Sequence, residues 1–204
     1  MASRYEAAVV IGLIVAAKLL GGRSVPWWRP EHTKKGGKGA GPGATTAPVP
    51  QGGAAVWSEE TMRLFVEKMR VFGVDPGIVL LGIAAASHFN ADEQLGGYVG
   101  LLMVARSDLT DVGYPGVPPF EEIDAPAQIP WLAKVIGYRI AASGGSAPKT
   151  VAELASLLHP STNPQIDEVI RKEAERRAKD AEGTMLYIHH KQLLQHVLAN
   201  PVTP

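Results

Sequence analysis

Residues 75–102 read DPGIVLLGIAAASHFNADEQLGGYVGLL, and the fold turns on them. Asp75-Pro76 is an N-cap followed by a proline at the first helical position, where its missing N–H costs nothing. From Pro76 to His88 the chain is apolar almost all round, which predicts a helix at the centre of a core. The His88-Phe89-Asn90 corner ends that helix, and Gly96-Gly97 breaks the chain again. Tyr98 to Arg106 reads as another helix, although residues 97–104 alone carry a trace of strand-like alternation.

The flanking segments are helical too. Upstream, Ser58 is an N-cap with Glu59 and Glu60 in the first turn. Met62, Phe65, Val66, Met69 and Phe72 follow on one face, and Gly73 closes the helix. Downstream, residues 112–119 hold three prolines and two glycines and read as a loop. Asp124 caps a helix from Ala125 to Ala142, with Pro126 and Pro130 in or near its first turns. Thr150 and Glu153 form a capping box ahead of Leu154, Leu157 and Leu158, and His159-Pro160 ends that short helix. A charged helix over 165–182 and a last helix over 185–198 complete the chain, the latter packing through Leu186, Leu193, Leu194 and Val197. The fold class is mainly α.

The first 55 residues differ in kind. Residues 7–17 are an uninterrupted apolar run of 11, extended past Lys18 by Leu19-Leu20. A spanning helix needs about 20 such residues, a length reached only if Lys18 snorkels. Val9, Ile11, Leu13 and Ile14 form the anchor, and Trp27 and Trp28 suit an interfacial belt. An uncleaved anchor is the preferred reading over a signal peptide or a helix buried in an assembly, because no clear Ala-x-Ala site follows. Five basic residues (Arg23, Arg29, Lys34, Lys35, Lys38) follow the run, and Arg4 alone precedes it. The positive-inside rule would then hold the C-terminal side in the cytoplasm. From Gly36 to Gly53 there are seven glycines and three prolines, the composition of a flexible linker. The expected organisation is an anchor helix over 1–31, a linker over 32–55, a helical domain over 56–162, and a charged helix plus a packing helix over 163–204.

Twenty basic and twenty acidic residues balance, which gives nucleic-acid binding no support. Without cysteine there is neither a disulfide framework nor a Cys-containing zinc site. His189, His190 and His196 lack a His-Glu-x-x-His pattern and read as surface residues, so no metal and no cofactor are expected.

Three phrases together resemble the lysozyme-like domain of soluble lytic transglycosylases, especially those carried on phage virion proteins. They are Gly73-Val74-Asp75-Pro76, the LLGIAAASHFN of residues 80–90, and the GGYVGLL of residues 96–102. AQIPWL at 127–132 and VAELASLLHP at 151–160 extend the likeness, which covers roughly residues 57–162. The resemblance implies a catalytic glutamate at the end of the core helix, where burial keeps a carboxyl protonated for donation to the glycosidic oxygen. This chain reads Ala86-Ser87-His88-Phe89-Asn90 there, with Ala86 at the acid's position. A methyl group transfers no proton. Met103 likewise stands where the family places a glutamine facing substrate. On the same resemblance Ser87, Asn90, Tyr98, Gly100 and Met103 would line the groove.

Replacement acids are His88, Asp92, Glu93, Glu121 and Glu122. Each also has an ordinary reading as a helix-end histidine, a solvated turn carboxylate or a helix-start charge. Three functions follow. The preferred one is a structural protein of a virion or cell envelope with a degenerate domain. It would engage peptidoglycan strands, or mediate assembly, during host entry, and its N-terminal helix would meet a membrane or other virion proteins. The second is an active peptidoglycan-cleaving enzyme with a non-standard acid. The third is a helical assembly protein unrelated to cell wall.

Overall fold

The computed structural model describes residues 55–201, and within them the protein is mainly helical. The Val9, Ile11, Leu13, Ile14, Trp27 and Trp28 anchor and the glycine-rich linker lie outside the described residues.

Helix α1 (Glu59–Val71) starts where Ser58 Oγ accepts the Thr61 N–H at 3.1 Å. Its Met62, Phe65, Val66 and Met69 stripe is buried, each large side chain contributing about 1.5–3 kcal/mol of apolar burial. Gly73, at φ 66, turns the chain into the Asp75 cap of α2 (Pro76–Ser87). Helix α2 is apolar on nearly every side because other helices surround it: α5 (Val151–Leu158), α6 (Pro164–Glu182), α7 (Met185–Ala199) and α1 all pack on it. Helix α6 is highly charged, yet Ala174, Ala178 and Ala181 recur along one side and are buried. Such small side chains let a charged helix lie close to α2 on a narrow apolar stripe.

The helix expected from Tyr98 to Arg106 is replaced by a three-stranded antiparallel sheet. Its strands are β1 (Gln94–Leu95), β2 (Tyr98–Val99) and β3 (Val104–Ala105), in the order β1-β2-β3. Leu95 pairs with Tyr98 across Gly96-Gly97 in a two-residue hairpin. Gly96 supplies the φ of 61 that a primed hairpin turn requires. The Val99↔Val104 and Tyr98↔Ala105 pairs bring β3 back along β2. Gly100 (φ 77) and Met103 (φ 50) are both left-handed, so a continuous right-handed helix cannot run through them.

Short α3 (Arg106–Asp111) and the 112–119 loop lead to a 3-10 turn at Phe120–Glu122 and then α4 (Ala125–Ala142), capped by Asp124 as expected. Helix α4 packs on α1. Buried Asp108 of α3 takes a two-pronged bond from Arg139 of α4, at 2.8 Å (Nε) and 2.5 Å (Nη2). The Thr150 cap holds the Glu153 N–H at 3.1 Å, but the returning Glu153 carboxylate accepts from the Lys149 N–H, one residue earlier than a capping box places it. The described residues 55–201 belong to one compact unit, so helices α6 and α7 are part of the same packed body as α1 to α5.

Candidate functional site

The end of α2 is the most constrained place in the described chain. His88 (φ 53) and Phe89 (φ 63) are consecutive non-glycine residues in the left-handed region, and Met103 (φ 50) is the third. Each costs on the order of 1–3 kcal/mol and persists only when its surroundings over-determine it. Here they do. The Ser87 hydroxyl donates to the Leu101 carbonyl at 2.8 Å, with the Ile83 carbonyl at 3.3 Å as a weaker second acceptor. That bond staples the corner after α2 to the 100–103 turn, where Met103 sits. Phe89 is 1% exposed, stacked on His190 with ring centroids 4.1 Å apart and edge-on to Trp57 at 5.6 Å.

Gln128 completes the frame. It lies on α4, is fully buried, and serves four backbone groups. Its Oε1 accepts the Leu101 N–H at 3.0 Å. Its Nε2 donates to the carbonyls of Ala91 (2.6 Å), Phe120 (2.9 Å) and Ile123 (3.2 Å). One side chain therefore ties the turn after α2, the sheet, the 3-10 turn and α4 together. Gly100 must be glycine beside it, since a Cβ there would lie 2.6 Å from both Gln128 Oε1 and the Phe120 ring.

The sequence-derived candidates fall into two groups. Ser87, Gly100 and Met103 are buried, and they hold the frame instead of presenting groups to a groove. Asn90 and Tyr98 are half-buried. Asn90 Nδ2 donates to Glu93 at 3.1 Å, and the Tyr98 ring meets His159 edge-on at 4.8 Å. Ala86 is 7% exposed, so the position at which the resemblance implies a proton donor is buried and carries only a methyl. Of the replacement acids, His88 and Glu122 are exposed on opposite sides of the frame's sequence, while Asp92 and Glu93 share one turn and are half-buried. Glu121 accepts from Arg106 at 2.5 Å, and that bond holds its carboxyl below the usual range, the opposite of what a proton donor needs.

Two buried histidines stand out. His159, at the C-cap of α5, is 8% exposed; burial, aided by the positive charge of Arg139, lowers its pKa to about 3. It is neutral at physiological pH. His190 corrects the sequence reading of a surface residue: it is fully buried on α7, whereas His189 and His196 are exposed. A signal for Gln128 and His190 was present. Ala125, Gln128, Ile129, Leu132, Ala133 and Ile136 all fall on the buried stripe of α4, and Tyr187, His190, Leu194 and Val197 on that of α7. A single polar residue in phase with an apolar stripe is a buried hydrogen-bonding group.

Chemically, the arrangement is a corner in which Ser87 and Gln128 bond backbone partners, while Asn90 Oδ1, Asp92 Oδ1 and Glu121 Oε2 are buried without a hydrogen-bond partner. Among the described residues no single helix is long and apolar enough to cross a membrane. No family model, curated protein or solved structure matches the chain.

Proposed function

We propose that the protein is a structural component of a virion or cell envelope that engages peptidoglycan through a lysozyme-like helical domain without its own proton donor. One observation carries this reading: Ser87 and Gln128 bond the turn at Leu101 to the corner after α2, while buried Ala86, next to Ser87 at the end of that helix, offers only a methyl. The central apolar helix that ends in the His88-Phe89-Asn90 corner supports it as well, although the helix expected after Gly96-Gly97 is a short sheet. A frame of this kind costs strain and buried polar groups, and those costs are retained where a surface is used. Glycan or partner contact is then the role, with no bond cleaved. The basic residues that follow the N-terminal apolar run conflict with ordinary secretion, which favours placement in a particle over export through a membrane.

The test uses the purified full chain with peptidoglycan sacculi. Co-sedimentation without loss of turbidity is the expected result. Clearing of the suspension that disappears in His88→Ala or Glu93→Gln would establish an enzyme with a non-standard acid. Neither binding nor clearing would leave the helical assembly protein as the better account.

A further inference from the structure

His190 makes two hydrogen bonds that only one protonation state allows. Its Nε2 lies 3.0 Å from the Trp57 backbone N–H, which can only donate. Its Nδ1 lies 2.7 Å from the Leu186 carbonyl, which can only accept. The ring is therefore neutral, with its proton on Nδ1. It stacks on Phe89, meets Trp57 edge-on at 5.3 Å, and is fully buried. A second proton would go to Nε2 and cost the ring its bond from the Trp57 N–H, with the Ala55 backbone as the competing partner.

We infer that His190 is an acid-operated latch: neutral, it clasps Trp57 to α7 and to Phe89, and on gaining a proton it releases residues 55–57 and loosens the strained corner after α2. The inference stands apart from the cell-wall reading, since it needs only these contacts. The segment it holds is the first of the described residues, just ahead of α1.

The surroundings favour release on acidification. Burial is the main influence and disfavours the charged ring. The bond to Leu186 and the backbone of Ala55 oppose this, and neighbouring His189, with its ring 5.8 Å away, adds like charge. Glu59 and Glu60 on α1, His88 and Glu93 beyond Phe89, Glu182 at the end of α6 and Lys191 on α7 make no bond or ion pair with the ring among the described residues. His196, farther along α7, faces Glu59 at 3.8 Å and would gain attraction on protonation. That pair is about half exposed, so solvent screens it. The neutral-state contacts are intact above the ordinary histidine pKa of about 6.5 and weaken as pH falls below it.

Hydrogen-exchange mass spectrometry on the full chain from pH 7.5 to 5, corrected for intrinsic exchange, tests the latch. Protection in the peptide spanning residues 55–62 should fall at least about tenfold over that range. Protection in α4 should hold. His190→Gln should abolish this pH dependence, and His189→Gln, which removes like charge from beside the latched ring, should weaken it. A flat 55–62 profile in the wild type, parallel loss in α4, or an unchanged profile in His189→Gln would overturn the inference; the wild-type and His189→Gln measurements decide it even if His190→Gln fails to fold.

Discussion

Replacing Gln128 with leucine keeps the bulk of the side chain and removes both ends of its amide. The consequence can be worked bond by bond. The Leu101 N–H, on a residue with no exposure, loses its 3.0 Å acceptor. The Phe120 carbonyl loses a 2.9 Å donor and keeps only the long 3.4 Å contact from the Ile123 N–H. The Ala91 and Ile123 carbonyls belong to half-buried residues and can turn toward water. One orphaned buried amide and one poorly served carbonyl, at roughly 1–3 kcal/mol for a fully unmet group, give about 3 kcal/mol. Added apolar burial offsets only part of this. Against a typical stability of about 5–15 kcal/mol the loss is large. Urea unfolding followed by far-ultraviolet circular dichroism is the assay. With a slope of about 2 kcal/mol per molar, the midpoint should drop by about 1.5 M. Gln128→Glu adds a signature of its own: an ionised carboxylate would face three carbonyl oxygens, so it should cost more at pH 8 than at pH 5, where protonation restores a donor. A Gln128→Leu midpoint within about 0.4 M of wild type would refute the account of Gln128 as the clasp of the frame.

Three further outcomes are expected. Gly100→Ala combines a left-handed φ with contacts at 2.6 Å, and should cost about 3–4 kcal/mol in urea unfolding; Gly96→Ala, at φ 61 but in open space, should cost about 1–2 kcal/mol. Arg139→Met leaves the carboxylate of Asp108, 2% exposed, without its partner, and should destabilise by about 3 kcal/mol, with the Asp108→Asn, Arg139→Met double variant less affected than Arg139→Met alone. His159 has its folded pKa lowered from 6.5 to about 3, so the unfolded chain binds the extra proton between those values and the stability its neutral form contributes is lost as pH falls through that window. At pH 4.5 the penalty is about 2–3 kcal/mol. Calorimetry at pH 7.5 and 4.5 should show a smaller acid loss in His159→Gln than in the wild type.

Much of the architecture was legible in local chemistry. Ser58, Asp75, Asp124 and Thr150 each cap the helix expected of them, because a cap is a contact between residues two or three apart. The apolar stripe of α1 and the all-round apolarity of α2 announced one half-buried and one central helix. The sheet at residues 94–105 was misread because its strands are two residues long, too short for alternation to register. Its geometry is imposed by Gly96, Gly100 and Met103 and by a glutamine 27 residues beyond Leu101. The candidate site was legible only as a place, since the Ala86-Ser87-His88-Phe89-Asn90 corner is contiguous in the chain.

Sequence alone determined the helices outside residues 94–111, their caps, the unlike composition of the first 55 residues and the methyl at residue 86, since each depends on neighbours within a few positions. Tertiary structure decided which polar groups are buried. Whether Gln128 clasps four backbone groups, or His190 holds Trp57 across 133 positions of chain, depends on partners that folding alone brings together. A buried amide or imidazole must find those partners or lose several kcal/mol, and that requirement sets the shape of the corner after α2.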